Sequence, residues 1–308
     1  MRTFLDCIPC FVRQALEAAR FAGSEVSAHE YLLRETLGLA ARMDLSQSPP
    51  AMGQIIHRRL RELTGVADPY RAVKQRFNRL VQSLLPDLRR GIRGSPDPLG
   101  AAVRLAIAGN VIDLGVCANL SDVELYVAIE QGRREPLLGN LEEFPQAVAA
   151  AERILYLADN AGEIFLDRLL IEQLPTGRVT LAVRGGPILN DATREDAEAA
   201  GLAAMVEIID NGSDAPGTIL SDCNETFRER FAAADLIVAK GQGNFETLSD
   251  VPAPLWFLFK AKCPIIADYA GQKLGAHVVM RSQAPPCTRA LAASLLAADE
   301  SRAIESDS

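Results

Sequence analysis

The chain has 308 residues, 48% of them hydrophobic and 23% charged, with a formal charge of -8. That much apolar material fills one large core or two smaller ones and excludes an intrinsically disordered chain. The acidic balance, with a pI near 5.1, excludes a broad nucleic-acid or anionic-membrane surface, because both rest on many Lys and Arg contacts.

Residues 1–6 lack the apolar core of a signal peptide, and no run of eighteen apolar residues follows, so a cytoplasmic location is expected. Cys7-Ile-Pro-Cys10 opens three alternatives. The thiols are packing residues, or zinc ligands with Cys117 as a third, or a redox pair whose Pro sits in a first helical turn. Cys223, Cys263 and Cys287 are expected to be small buried hydrophobes.

Helical periodicity dominates the first half, over residues 11–22, 29–43, 51–63, 70–85 and 99–108. Ser48-Pro-Pro50, Asp68-Pro69 and the stretch 91–98 separate these helices, and Pro86 is expected to end the fourth. In Gly109-Asn-Val-Ile-Asp113, Asn110 and Asp113 sit in apolar surroundings and need internal partners. That turn is either a packing feature or a wall of an active site.

From residue 152 to about 280 the pattern changes to short β-branched runs alternating with helices. Residues 154–157, 179–184, 206–209, 236–239 and 264–267 read as strands. The expected architecture is α/β: a helical N-terminal region (1–150) packed on a doubly wound, mostly parallel sheet domain (151–308) that holds metal and substrate. Strand ends of such sheets carry ligands, and here they carry oxygen donors: Asp159 and Asn160 after the first run, then Asp191, then Lys240. Asp and Asn oxygens are hard ligands suited to Mg²⁺ or Mn²⁺. Asp159, Asn160 and Asp191 form the expected metal set, Lys240 a charge-compensating cation, and Glu163 either a general base or a carboxylate behind the ligands. Glycines 241 and 243 around Gln242 permit close backbone approach to a ligand.

Asp159-Asn-Ala-Gly-Glu163, Arg184-Gly-Gly-Pro-Ile-Leu-Asn-Asp-Ala-Thr193, Lys240-Gly-Gln-Gly-Asn-Phe-Glu246, Phe259-Lys-Ala-Lys-Cys-Pro264 and Gly109-Asn-Val-Ile-Asp113 together resemble the metal-dependent damage-control phosphatases, formerly catalogued as domain of unknown function 89. With Cys7-Ile-Pro-Cys10 the chain looks most like their prokaryotic branch. The resemblance implies a catalytic set of Asp159, Asn160, Asp191, Lys240 and Glu163. It also implies substrate contacts from Gly241, Gln242, Gly243, Asn244 and Lys262, and Asn110 and Asp113 join them if their turn is the active-site wall. Phe259-Lys-Ala-Lys departs from the Arg-Thr-x-Lys of the eukaryotic branch, which leaves Lys260 and Lys262 as alternatives at the phosphate. The implied function is hydrolysis of phosphate esters of small metabolites, sugar phosphates or damaged phosphometabolites, by a water activated on Mn²⁺, Mg²⁺, Co²⁺ or Ni²⁺. The expected partner is a small phosphorylated metabolite, with no nucleic acid and no membrane; oligomeric state is open. A carboxyl methyltransferase or other Rossmann-like transferase, or a noncatalytic metal-binding protein, is the alternative. No Gly-x-Gly-x-x-Gly follows the first α/β strand.

Overall fold

The structure, a computed structural model, describes residues 1–23, 25–111 and 122–283. Asp113, Cys117 and Cys287 lie outside the described residues. Five helices open the chain: α1 (Cys7–Phe21), α2 (Val26–Arg42), α3 (Pro49–Thr64), α4 (Arg71–Arg93) and α5 (Pro98–Ala108). Helix α6 (Asp122–Gly132), strand β1 (Leu137–Gly139) and helix α7 (Phe144–Ala150) follow. The α/β part then runs β2 (Ile154–Leu157), α8 (Glu163–Ile171), β3 (Val179–Val183), α9 (Arg194–Ala199), β4 (Glu207–Asp210), α10 (Glu225–Ala233), β5 (Leu236–Lys240), α11 (Gly241–Leu248), β6 (Leu255–Lys260), α12 (Pro264–Tyr269) and β7 (His277–Arg281).

The expected α/β fold is present: one seven-stranded sheet in the order β1-β7-β6-β5-β2-β3-β4. Strands β2 to β6 run parallel, β7 is antiparallel to β6, and β1 lies parallel to β7 at the edge. From β2 the chain steps outward through β3 and β4, then returns to place β5 on the other side of β2. That reversal makes the carboxyl ends of β2 and β5 the switch point of the sheet, the position at which doubly wound sheets bind ligands.

Alternation along the strands divides the apolar side chains between two layers. Ile154, Tyr156, Leu181, Val238 and Leu258 face α1, α3, α4, α5 and α8 in one continuous core. Leu155, Leu157, Ile237, Phe257 and Phe259 face α10, α11 and α12 in the other.

Two expectations are corrected. Helix α4 runs through Pro86 to Arg93. A proline inside a helix costs about 3 kcal/mol. Leu85, Leu88 and Ile92 are all buried there, and each contributes roughly 1.5–3 kcal/mol, so core burial outweighs the lost backbone bond. Residues 264–267 form the start of α12 rather than a strand, with Pro264 at the first helical position after Cys263. The strand on the side of β5 away from β2 is β6, whose first five residues are buried; its unbroken apolar run lacks the alternation that marks a half-exposed strand. Among the described residues no helix is long and apolar enough to cross a membrane.

Candidate functional site

Strand β2 ends one residue before Ala158, and the chain turns through Asp159, Asn160, Ala161 and Gly162 into α8. The turn is tied to the loop after β3 by backbone bonds. Ala161 N–H donates to Asn190 O at 2.7 Å, Ala192 N–H donates to Asp159 O at 2.7 Å, and Asn160 and Asp191 form an isolated antiparallel bridge. Two strand ends thereby present Asp159, Asn160 and Asp191 side by side. Leu189, two residues before Asp191, holds φ at 45°. A left-handed conformation at a leucine costs on the order of 1–3 kcal/mol, so the surrounding bonds determine the path of this loop.

Side chains then lock the turn. Asn110, just past α5, donates its Nδ2 to Asp159 Oδ2 at 2.7 Å and to Glu163 Oε2 at 3.0 Å. Asn160 Nδ2 donates to the same two oxygens at 2.6 and 2.9 Å. With its amide hydrogens so engaged, Asn160 has only its carbonyl oxygen to offer an ion. Gly241 begins α11 with φ at +79°, and a Cβ there would come within 1.9 Å of Asp159 Oδ2. Glycine is therefore required for β5 to pass behind the Asp159 carboxylate.

Lys240 closes the back of the site. Its fully buried ammonium donates to Ala106 O at 2.9 Å, to Glu163 Oε1 at 2.7 Å and to Asp167 Oδ1. All three donors are used inside the protein, so Lys240 pairs with Glu163 and Asp167 instead of reaching a phosphate directly. Glu163, also fully buried, accepts from Lys240, Asn110 and Asn160, so it holds the two amides in place behind Asp159. Helix α11 begins with Gly241, Gln242, Gly243 and Asn244, so these residues form its first turn. Asn244 is a clamp: its amide donates to Lys240 O at 2.8 Å, and its oxygen accepts from Thr218 Oγ1 at 2.8 Å. Gln242 accepts the Lys262 backbone N–H at 3.0 Å. Lys262 is exposed and its charge reaches Asp159, whereas Lys260 lies opposite His277 across β6 and β7 and acts electrostatically on that ring.

Four residues that belong to this network carried no assigned role in the sequence. Arg184, at the end of β3, donates to Asp191 Oδ2 at 2.7 Å and lies 4.0 Å from Asp159 Oδ1. Asp167 accepts from Tyr156 Oη at 2.7 Å as well as from Lys240. Thr218 joins Asn244, and Asn78 Oδ1 accepts the Gly162 N–H at 2.6 Å. Asp167 had a legible signal, since it stands one helical turn after Glu163 in an otherwise apolar stretch. Asn78, on a distant helix, had none.

The charge balance tests whether a cation fits. Asp159, Glu163, Asp167 and Asp191 are buried together; Lys240 and Arg184 pair with them directly, while Lys74, buried beside Asp196, and the exposed Lys262 act on Asp191 and Asp159 from farther off. Burial, then the charges of Glu163 and Asp191, push the Asp159 carboxyl up to about 8. Asp167 rises to about 6, chiefly through burial, and burial raises Asp191 despite Arg184. Asn110 Oδ1 is buried without a hydrogen-bond partner among the described residues. Excess negative charge, hard oxygen donors and an orphaned amide oxygen all suit a divalent cation. No group of three His, Cys, Asp or Glu forms a ready metal cluster among the described residues; the expected set here is two carboxylates and an amide. A separate cleft of about 510 Å³ opens at the opposite, amino edge of the sheet, between the starts of β2, β3 and β4, and none of the candidate residues lines it.

Residues 3–278 match the family model of the damage-control phosphatase ARMT1-like domain. A protein named damage-control phosphatase from Pyrococcus horikoshii is 33% identical over 289 residues, covering 92% of this chain and 99% of its own length. Another of that name, from Archaeoglobus fulgidus, is 34% identical over 278 residues, covering 88% and 96%. The crystal structure of a DUF89 family protein from Pyrococcus horikoshii superimposes with a TM-score of 0.82 at 33% identity, over 92% of this chain and all of that one. The match runs along nearly the whole chain and through the loops at the sheet reversal: this protein belongs to the damage-control phosphatase ARMT1-like family.

Proposed function

We propose that the chain is a divalent-metal-dependent phosphatase acting on phosphate esters of small metabolites, sugar phosphates or damaged phosphometabolites. The observation that carries this reading is the buried carboxylate cluster at the sheet reversal, which lacks the cationic charge to balance it. The names of the similar archaeal proteins support the same reaction class. Asp159, Asn160 and Asp191 would hold Mn²⁺, Mg²⁺, Co²⁺ or Ni²⁺; such an ion polarises a phosphoryl oxygen and acidifies a bound water.

Each neighbouring side chain then has a defined task. Asn110 and Glu163 fix the rotamers of Asp159 and Asn160. Arg184 holds Asp191 and adds positive charge beside Asp159. Lys240 pairs with Glu163 and Asp167 and offsets their negative charge behind the ligands. Lys262, exposed next to the first turn of α11, would add positive charge for an incoming phosphate. Phosphoryl transfer depends mainly on positioning and charge stabilisation, so no Ser or Cys nucleophile is required. The net negative charge fits a small anionic ester met locally better than a nucleic acid.

A screen of phosphate esters with each of the four ions, read as phosphate release, tests the proposal. Release that depends on the ion and disappears in Asp159→Ala supports it. Silence across every ester and ion would leave a noncatalytic metal-binding protein as the better reading.

A further inference from the structure

Helix α3 grips two loops at the carboxyl edge of the sheet, and one carboxylate, Asp214, gathers most of that grip. Gln54, Arg58 and Arg61 follow one another at spacings of four and three, so a single face of α3 presents all three. Asp214 lies in the loop after β4. Its Oδ1 accepts from Gln54 Nε2 at 2.8 Å and from Arg58 Nη2 at 2.6 Å, and its Oδ2 accepts from Arg61 Nη2. Arg61 Nη1 also donates to Pro187 O at 3.0 Å, in the loop after β3, so this one guanidinium sets the spacing between the two loops. Gln54 donates a second time, to Asp222 Oδ2 at 2.7 Å, and the same oxygen accepts from Ser213 Oγ at 2.5 Å. Burial raises the Asp214 carboxyl, but the bonds from Arg58 and Gln54 outweigh it and hold the group below its ordinary value. The clasp is therefore charge-assisted.

The clasped loop continues into the candidate site. Gly185 N–H donates to Ser213 O at 2.9 Å, which ties the loop to the residue next to Arg184. Thr218 Oγ1 accepts from Arg184 Nη1 at 3.3 Å and donates to Asn244 Oδ1 at 2.8 Å, while its backbone N–H donates to Thr247 Oγ1 at 3.1 Å. Packing leaves little slack on either side: a Cβ on Gly217 would come within 2.7 Å of Gly243 O, and one on Gly53 within 3.0 Å of the Pro216 ring. Arg184 in turn donates to Asp191 Oδ2 at 2.7 Å.

We propose that Asp214 is a positioning residue for the oxygen site: by fixing residues 213–218 against α3 it holds Arg184, and through it Asp191, in the arrangement a divalent ion needs. The proposal rests on the reading of Asp191 as a metal ligand. Asp214 acts through the loop and not on the ion, so its removal should weaken binding less than removal of a ligand does.

Mn²⁺ affinity of the full chain, read by calorimetric titration beside the melting temperature in chelator, tests it. Asp214→Ala should weaken Mn²⁺ binding about 3–10-fold, as expected of coupling carried through packed side chains. Asp214→Asn, which keeps the shape of the side chain and guards against a variant that fails to fold, should weaken it in the same direction by less. Thr218→Val should resemble Asp214→Ala, and the double variant should cost far less than the product of the two, because both act on one run of contacts. Asp235→Ala is the control. It breaks the Arg153–Asp235 pair at the opposite, amino edge of the sheet and should lower the melting temperature with Mn²⁺ affinity unchanged. Asp214 variants that melt earlier yet bind Mn²⁺ as the unsubstituted protein does would make the clasp merely structural and overturn the proposal, as would a double variant that reaches the full product. Unsubstituted protein that binds no Mn²⁺ overturns the metal reading itself and this proposal with it, so the two failures are told apart.

Discussion

Asn110 reaches two carboxylates with a single amide nitrogen, and this makes it the most informative residue of the candidate site. Removing it leaves the ligands in place and frees their rotamers. Asn110→Ala is therefore expected to lower ion affinity or turnover by about 10–100-fold, as for other residues that orient metal ligands, while Asp159→Ala removes both altogether. Titration with Mn²⁺ and steady-state kinetics separate the two. The charge state predicts a pH effect of definite sign. A carboxyl raised to about 8 in the folded state binds more protons than in the unfolded chain, so its contribution to stability falls as pH rises toward that value. Glu246, raised to about 7, acts in the same direction. His57 and His277, lowered by burial to about 3 and about 4, act in the opposite direction, but only below their ordinary value of 6.5. Between pH 6.5 and 8 the metal-free protein should consequently lose thermal stability, and Mn²⁺ should cancel the loss. Melting curves in chelator and in Mn²⁺ across that window check it; a metal-free protein that gains stability there contradicts the raised Asp159.

At the scale of elements, two positions show helix geometry competing with packing. Pro86 lies inside α4, where the residues beyond it are held by core contacts. Pro86→Ala restores a backbone donor at a modest cost in unfolded-chain entropy, and is expected to stabilise the protein by about 1–2 kcal/mol in denaturant titrations. Gly241 is the opposite case. A methyl group there meets the Asp159 carboxylate, and the φ of +79° disfavours any side chain. Gly241→Ala should cost roughly 1–3 kcal/mol of stability and weaken Mn²⁺ binding, because Asp159 must turn away. Calorimetric titration reads the second effect directly. The strand ends were visible in the sequence as short β-branched runs followed by Asp or Asn, which is why Asp159, Asn160 and Asp191 were legible. Strand β6 was less so, since Leu255-Trp-Phe-Leu-Phe has no period to distinguish strand from buried helix. Ile265 and Ile266 suggested a strand where Pro264 starts a helix.

For the whole molecule, the helical first half and the α/β second half share one apolar core. Residues of α1 to α5 meet Tyr156, Val238 and Leu258 within it, and β1, from the first half, pairs with β7 from the second. We propose that the parts divided at residue 150 act as one cooperative unit, the first shaping access and the second holding metal and substrate. The single tryptophan, Trp256 on β6, packs against Phe144 on α7 with ring centroids 5.3 Å apart and reports on that contact. Its fluorescence and far-ultraviolet circular dichroism should follow coincident unfolding transitions. Two separated transitions would mark the halves as independent. Local order in the chain was enough to determine the class of fold and the acidic and amide side chains at the strand ends, because periodicity and charge are properties of neighbouring residues. Contacts between distant segments were decided only in three dimensions. Asn110 and Asn78 reaching the β2 turn, and Lys240 enclosed by Glu163 and Asp167, depend on how the sheet reverses and which helices cover it, and no local pattern encodes that.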